Sequence, residues 1–101
     1  MTPALFLGAD GSILHVTPAA LRLLEYPSDA SIDPYFFTHV HGKNMYRVMQ
    51  DVAHMVCHRQ GQTSWLLRLR TGHGRWRWYR ATVYNRLEDD PACIRVELDD
   101  V

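Results

Sequence analysis

Histidines, carboxylates and thiols are where chemistry would be sought first, and their spacing in this chain supports little of it. His54 and His58 stand four residues apart, which puts two imidazoles on one helical face where they could chelate a surface metal. Met55, however, takes the place of the glutamate in an H-E-x-x-H hydrolase, and an exposed polar helix face accounts for the pair. Glu88-Asp89-Asp90 gathers three carboxylates just before Pro91, a composition that reads as a solvated loop rather than an acid and a base set across a substrate. Cys57 and Cys93 form no C-x-x-C pair, so they make neither a zinc ribbon nor a redox motif; two free thiols in a reducing cytoplasm are expected. Neither a G-x-S-x-G elbow nor a phosphate-cradling G-x-x-x-x-G-K is present. No catalytic residue and no metal site are expected, and the chain is not expected to be an enzyme.

The remaining cluster with chemical potential is Ser64 to Asn85, where arginines and aromatics interleave. Arginine beside stackable rings is what a binder of single-stranded nucleic acid presents. Parity argues otherwise. Trp65, Leu67 and Leu69 share one face of a period-2 strand and Arg68 and Arg70 the other, so half of that strand reads as core. Gly72 and Gly74 flank His73 at a reversal, marking a hairpin. Beyond it Trp76 and Trp78 share one face, while Arg75, Arg77, Tyr79, Ala81 and Val83 share the other. Ten arginines and Lys43 balance 11 acidic residues, so no net field favours a polyanion. Glu97, Asp99 and Asp100 on a final strand would also neutralise neighbouring arginines, and nucleic-acid binding is not expected.

The elements that must position these residues follow from turn chemistry and periodicity. At 101 residues the chain is one ordinary domain, able to bury roughly 60 to 70% of its unfolded surface without staples. The segment MTPALFLGADG lacks a basic region and ends its short apolar run at Asp10-Gly11, so neither a signal peptide nor membrane contact is expected and the location reads as cytoplasmic. Leu5 to Leu7 and Ile13 to Val16 read as a tight hairpin around that turn. Thr17 offers an N-cap and Pro18 a first helical position for a short helix through Leu24, ended by Pro27. Between Ser28 and His41, Pro34 and the aromatics Tyr35, Phe36 and Phe37 suggest one or two short helical turns. Lys43 to Arg59 reads as one long helix closed by Gly61, with Met45, Val48, Met49, Val52 and Val56 in its apolar stripe and Arg47, Gln50, Asp51, His54 and His58 opposite. Ile94, Val96 and Leu98 alternate as the last strand.

This order of elements, with its motifs, resembles the PAS domain, a small sensory module common in bacterial signalling proteins. The resemblance covers essentially all of the chain. It rests on the Asp10-Gly11 hairpin turn, on Thr17-Pro18-Ala19-Ala20 through Leu23-Leu24-Glu25-Tyr26, on Val40-His41-Gly42-Lys43-Asn44 before the long helix, and on Arg68-Leu69-Arg70, Gly74 and Trp76-Arg77-Trp78 in the hairpin. Four positions depart from the family pattern: Thr17 stands for Asn, Glu25 for Gly, Gly42 for Pro and His73 for Asp. Local turns are expected to differ there.

The resemblance implies an α+β fold, with a five-stranded antiparallel sheet and short helices plus one long helix packed on one face. It also implies a cavity between sheet and long helix that holds a small ligand in some members and side chains in others. Candidates to line it are Phe36, Met45, Met49, Val52, Val56, Leu67 and Leu69. Haem is not expected, because His54 and His58 fall opposite the apolar stripe, although His39 and His41 lie near the helix start. Flavin is not expected either, since 33–40 lacks the Asn-Cys-Arg-Phe-Leu motif of flavin light sensors. Apolar bulk on both faces of the second hairpin strand calls for a partner, and Trp76, Trp78, Tyr79 and Tyr84 are the candidates for a homodimer interface. Asp99-Asp100-Val101 resembles the family's junction with a connecting helix, so one PAS domain cut from a larger protein is expected. A diguanylate cyclase, histidine kinase, chemoreceptor or transcription factor would follow as effector. Two functions remain open: a ligand-sensing module, or a dimerising scaffold with a filled core.

Overall fold

A computed structural model describes residues 2–28 and 31–101. Alternating apolar residues build five strands: β1 (Ala4–Leu7), β2 (Ile13–Val16), β3 (Gln62–Arg70), β4 (Trp76–Arg86) and β5 (Cys93–Asp100). They form one sheet in the order β2-β1-β5-β4-β3, in which every neighbouring pair is antiparallel. The helical segments described between its halves include α1 (Pro18–Leu23), a 3-10 helix (Phe36–His39) and α2 (Gly42–His58). The α+β architecture with a five-stranded antiparallel sheet is as expected.

Turn residues set the connections. Gly11 sits at φ 87 between β1 and β2, while the Asp10 carboxylate accepts from the Ser12 amide at 2.9 Å. Thr17 caps α1 through Ala20 N–H, and Pro18 takes the first turn, where no amide donor is needed. Pro27 does not end α1. The helix stops two residues earlier, at Glu25, which adopts a left-handed φ of 66 while its amide and that of Tyr26 donate to Arg22 and Leu21 carbonyls. That is the helix-ending arrangement in which glycine is favoured. The long helix likewise ends at Arg59, left-handed at φ 56, rather than at Gly61.

The inner face of the sheet carries the core. Leu5, Leu7, Trp65, Leu67, Leu69, Tyr79, Ala81, Val83, Ile94, Val96 and Leu98 point to it, and Val16, Ala20, Leu24, Phe36, Val48, Val52 and Met55 cover them from the helical side. The register of β3 on β4 pairs Arg68 with Trp78 and Leu66 with Arg80 on the opposite face. Between β4 and β5, Arg80 pairs with Asp99, so the basic hairpin lies beside the acidic strand.

Candidate functional site

The space under the sheet is the first place to look for a ligand. It is almost gone. Leu5, Ile13, Leu24, Ile32, Phe36 and Leu69, with the inner edges of Tyr26, His39 and Arg70, enclose a cavity of only about 10 Å³. A cavity that size has room for about one water, and apolar walls offer a water no partners. At its rim the Tyr26 hydroxyl lies 3.3 Å from His39 Nδ1 and donates to the Arg70 carbonyl at the same distance. His39 Nε2 meets the Asp33 carbonyl at 3.0 Å. Burial raises the Tyr26 phenol above its ordinary value, so it stays protonated and keeps its donor role.

Of the candidates for lining this cavity, Phe36 and Leu69 do so; Leu67 borders instead a separate pocket of about 80 Å³ between α2 and β3, Val52 is buried in the core, and Met45 is half-buried beside it. Met49 and Val56 are corrections: both are exposed on the outside of α2. The cause is polar. Asp51 faces inward, where its Oδ2 accepts from Trp65 Nε1 at 2.9 Å, Thr63 Oγ1 at 3.2 Å and Arg47 Nε at 2.9 Å. Asn44 Oδ1 accepts the Arg68 amide at 2.9 Å, and Asn85 Nδ2 donates to the Met55 carbonyl at 2.9 Å. These anchors turn the helix until Val48, Val52 and Met55 meet the sheet. Partial burial pushes the Asp51 carboxyl up, but the Arg47 and Trp65 hydrogen bonds and the Arg47 charge outweigh it and hold the group below 3.8.

His54 and His58 are exposed, with ring centroids 5.1 Å apart, on the side of α2 away from the cavity. His41 caps α2, accepting the Lys43 amide through Nδ1 at 3.1 Å. His39 borders both the enclosed cavity of about 10 Å³ and an open surface pocket of about 220 Å³ formed with Tyr26, Asp33, Arg70 and Gly72. Among the described residues no three His, Cys, Asp or Glu side chains converge as metal ligands, and no helix is long and apolar enough to cross a membrane.

The outer face of the sheet is built differently. Trp76 and Trp78 are each 44% exposed, the Arg68 guanidinium lies 4.5 Å over the Trp78 ring, and His41 sets its edge against Trp76 at 4.8 Å. Farther along, Arg86 lies 5.7 Å over Tyr84, and Arg95 pairs with Glu97 at 2.8 Å. Leu66 adds an exposed apolar side chain next to Arg80. Tyr79, also a candidate for the homodimer interface, is fully buried on the inner face. Its position in the β4 alternation matches Ala81 and Val83, and its hydroxyl reaches the Leu23 carbonyl at 3.1 Å, which satisfies the polar tip of a ring otherwise in the core.

No family model and no curated protein matches the chain. Solved structures do. A domain from Colwellia psychrerythraea described as a PAS domain superposes with a TM-score of 0.80 at 13% identity, over 98% of this chain and 85% of that one. PAS-B of Drosophila melanogaster Cycle, with bound ethylene glycol, gives 0.79 at 9% identity over 96% and 97%. The chain has the PAS fold. A PAS domain from a two-component sensor histidine kinase gives 0.75 at 17% identity over 99% and 85%. At Glu25 the backbone takes the left-handed form that glycine favours, and the carboxylate grips the β3–β4 turn through Arg75 Nε at 3.2 Å and Nη2 at 2.6 Å, with Arg77 Nη1 at 3.6 Å and His73 Nδ1 at 3.5 Å. Gly72 is required on the other side for closeness: a Cβ would collide with the Glu25 carbonyl, to whose neighbour, the Leu24 carbonyl, the Gly72 amide donates.

Proposed function

We propose that this chain is a non-catalytic signalling module with a filled core, which pairs with a second copy through its outer sheet face and passes conformational change to a linked effector. The observation that carries the filled-core reading is the cavity of about 10 Å³. Cycle PAS-B holds ethylene glycol, but even a molecule of that size needs several times the room of a single water. The resting state of this chain therefore favours side chains over a ligand. Exposed Trp76, Trp78 and Leu66, set among cations already stacked on the rings, favour a protein partner, since tryptophan and arginine are enriched at the energetic centres of interfaces. A linked effector, whether diguanylate cyclase, histidine kinase, chemoreceptor or DNA-binding domain, is supported by the PAS domain of a sensor histidine kinase among the similar structures. A cytoplasmic location belongs to the same proposal and accords with free Cys57 and Cys93.

Native mass spectrometry with an absorption spectrum of the purified protein tests the core. The expected result is the mass of the polypeptide alone, as monomer and dimer, with no visible band. A stoichiometric small molecule carried through purification would overturn the filled-core reading in favour of ligand sensing.

A further inference from the structure

His41 stands where the start of α2, the edge strand β3 and the outer sheet face meet. As the N-cap of α2 it accepts the Lys43 amide through Nδ1 at 3.1 Å, and its own amide donates to the Arg68 carbonyl at 3.0 Å. Its ring lies 4.8 Å from the Trp76 ring at an interplanar angle of 71°. One imidazole therefore holds the first turn of the helix and contacts one of the two exposed tryptophans of the sheet face.

The cap needs a lone pair on Nδ1. Protonation places a hydrogen there, turns the acceptor into a donor and leaves it facing the Lys43 N–H, so cap and charge exclude each other. The Asn44 amide keeps its bond to the His41 carbonyl at 2.9 Å, and the loss is confined to the side-chain cap. The charges that act on the ring are cationic, Arg68 from β3 and Lys43 from α2, and no acid among the described residues offsets them; β4 brings only the Trp76 ring. Loss of hydration, then the Arg68 and Lys43 charges, hold the imidazole below the usual 6.5, so the neutral capping form is the resting one at pH 7. We infer that His41 is a proton-operated switch, in which protonation frees the cap of α2 and sets a positive charge beside Trp76, so that acidification weakens pairing through the outer sheet face. Both copies gain that charge together, next to the Arg68 guanidinium already lying over Trp78, and like charges build up on the shared face. A proton needs no cavity, which suits a core enclosing only about 10 Å³. The effect on pairing rests on the self-pairing reading above, whereas the switch itself rests on the His41 geometry.

The test compares the parent with His41→Asn, in which a side-chain oxygen keeps the cap and cannot titrate. His41→Ser, a second uncharged cap, takes its place if the asparagine variant does not fold. Spectra of isotope-labelled protein are recorded from about pH 8 to about pH 5, the range in which imidazoles change charge. In the parent, the Lys43 amide and the Trp76 indole signals are expected to move together along one titration curve, and in His41→Asn both should stay in place. Over the same range the dimer dissociation constant of the parent should rise about fivefold, and that of the variant by less than about twofold. His15, 5.6 Å from Phe6, and His73, beside Glu25, are present in both proteins, so the difference between the two isolates His41. Lys43 and Trp76 signals that stay still in the parent, or move equally in the variant, would overturn the switch. Signals that titrate while the dimer keeps its strength would overturn its link to pairing. A parent that is monomeric at every pH would refute the self-pairing reading instead, and the Lys43 and Trp76 signals would still decide the switch.

Discussion

Glu25 concentrates several demands on one residue. Its backbone is left-handed, a conformation unfavourable for any residue with a Cβ, and its carboxylate offsets that by tying the end of α1 to the β3–β4 turn. The Arg75 hydrogen bonds foremost, then the Thr71 bond, hold its carboxyl down to about 2 from 4.5. A carboxyl whose folded value lies below its unfolded one stabilises the protein above the unfolded value, and that contribution is lost as the pH falls from 4.5 through about 2. Urea midpoints measured across this window should fall more steeply for the parent than for Glu25→Gln. Glu25→Gly should be more stable than Glu25→Ala, since both drop the carboxylate but only glycine releases the strained φ. The reverse order would show that the turn is held by other contacts. Asp51 offers the second test at this scale: Asp51→Ala removes the acceptor of a buried indole N–H and should destabilise by about 1–3 kcal/mol in chemical denaturation. Asp51→Asn, which keeps an acceptor oxygen, should recover part of that.

At the level of elements, β3 and β4 behave as their alternation requires. Leu67 is fully buried between sheet and helices, and Leu67→Ala should cost about 2–5 kcal/mol, read from the denaturant midpoint at constant slope. Leu66, one residue away and exposed, should tolerate alanine within about 0.5 kcal/mol. The contrast between the two neighbours measures the face parity directly. Strand parity was legible because a period of two leaves two faces, and one apolar face settles the choice. The helix was harder to read. With apolar residues over about half its circumference, α2 permits several rotations, and the expected stripe of Met45, Val48, Met49, Val52 and Val56 took in Met49 and Val56 and missed Met55, whereas Val48, Val52 and Met55 are the ones buried. Asn44 and Asp51 decided it, two polar residues whose partners lie 24 and 14 positions away on β3.

For the whole molecule, the prediction concerns association. Trp76→Ala and Trp78→Ala should each weaken the proposed dimer by tenfold or more, on the order of a hot-spot truncation, with the fold intact because both rings lie outside the core. Light scattering over a concentration series checks it, and a parent protein that stays monomeric at high concentration would refute the self-pairing. The sequence alone determined the strands, the hairpin turns, the Thr17 cap, the inner register of Trp65, Leu67 and Leu69, and the likeness to the PAS family, because each of these follows from spacing within a short stretch of chain. Tertiary structure alone decided that the space enclosed beside Phe36 and Leu69 is only about 10 Å³, that the Tyr79 hydroxyl meets the Leu23 carbonyl, and that Tyr46, Met49 and Val56 of α2 stay outside. Those depend on summed side-chain volumes and on hydrogen bonds between residues distant in the chain, such as Tyr79 to Leu23 and Trp65 to Asp51, which periodicity cannot register.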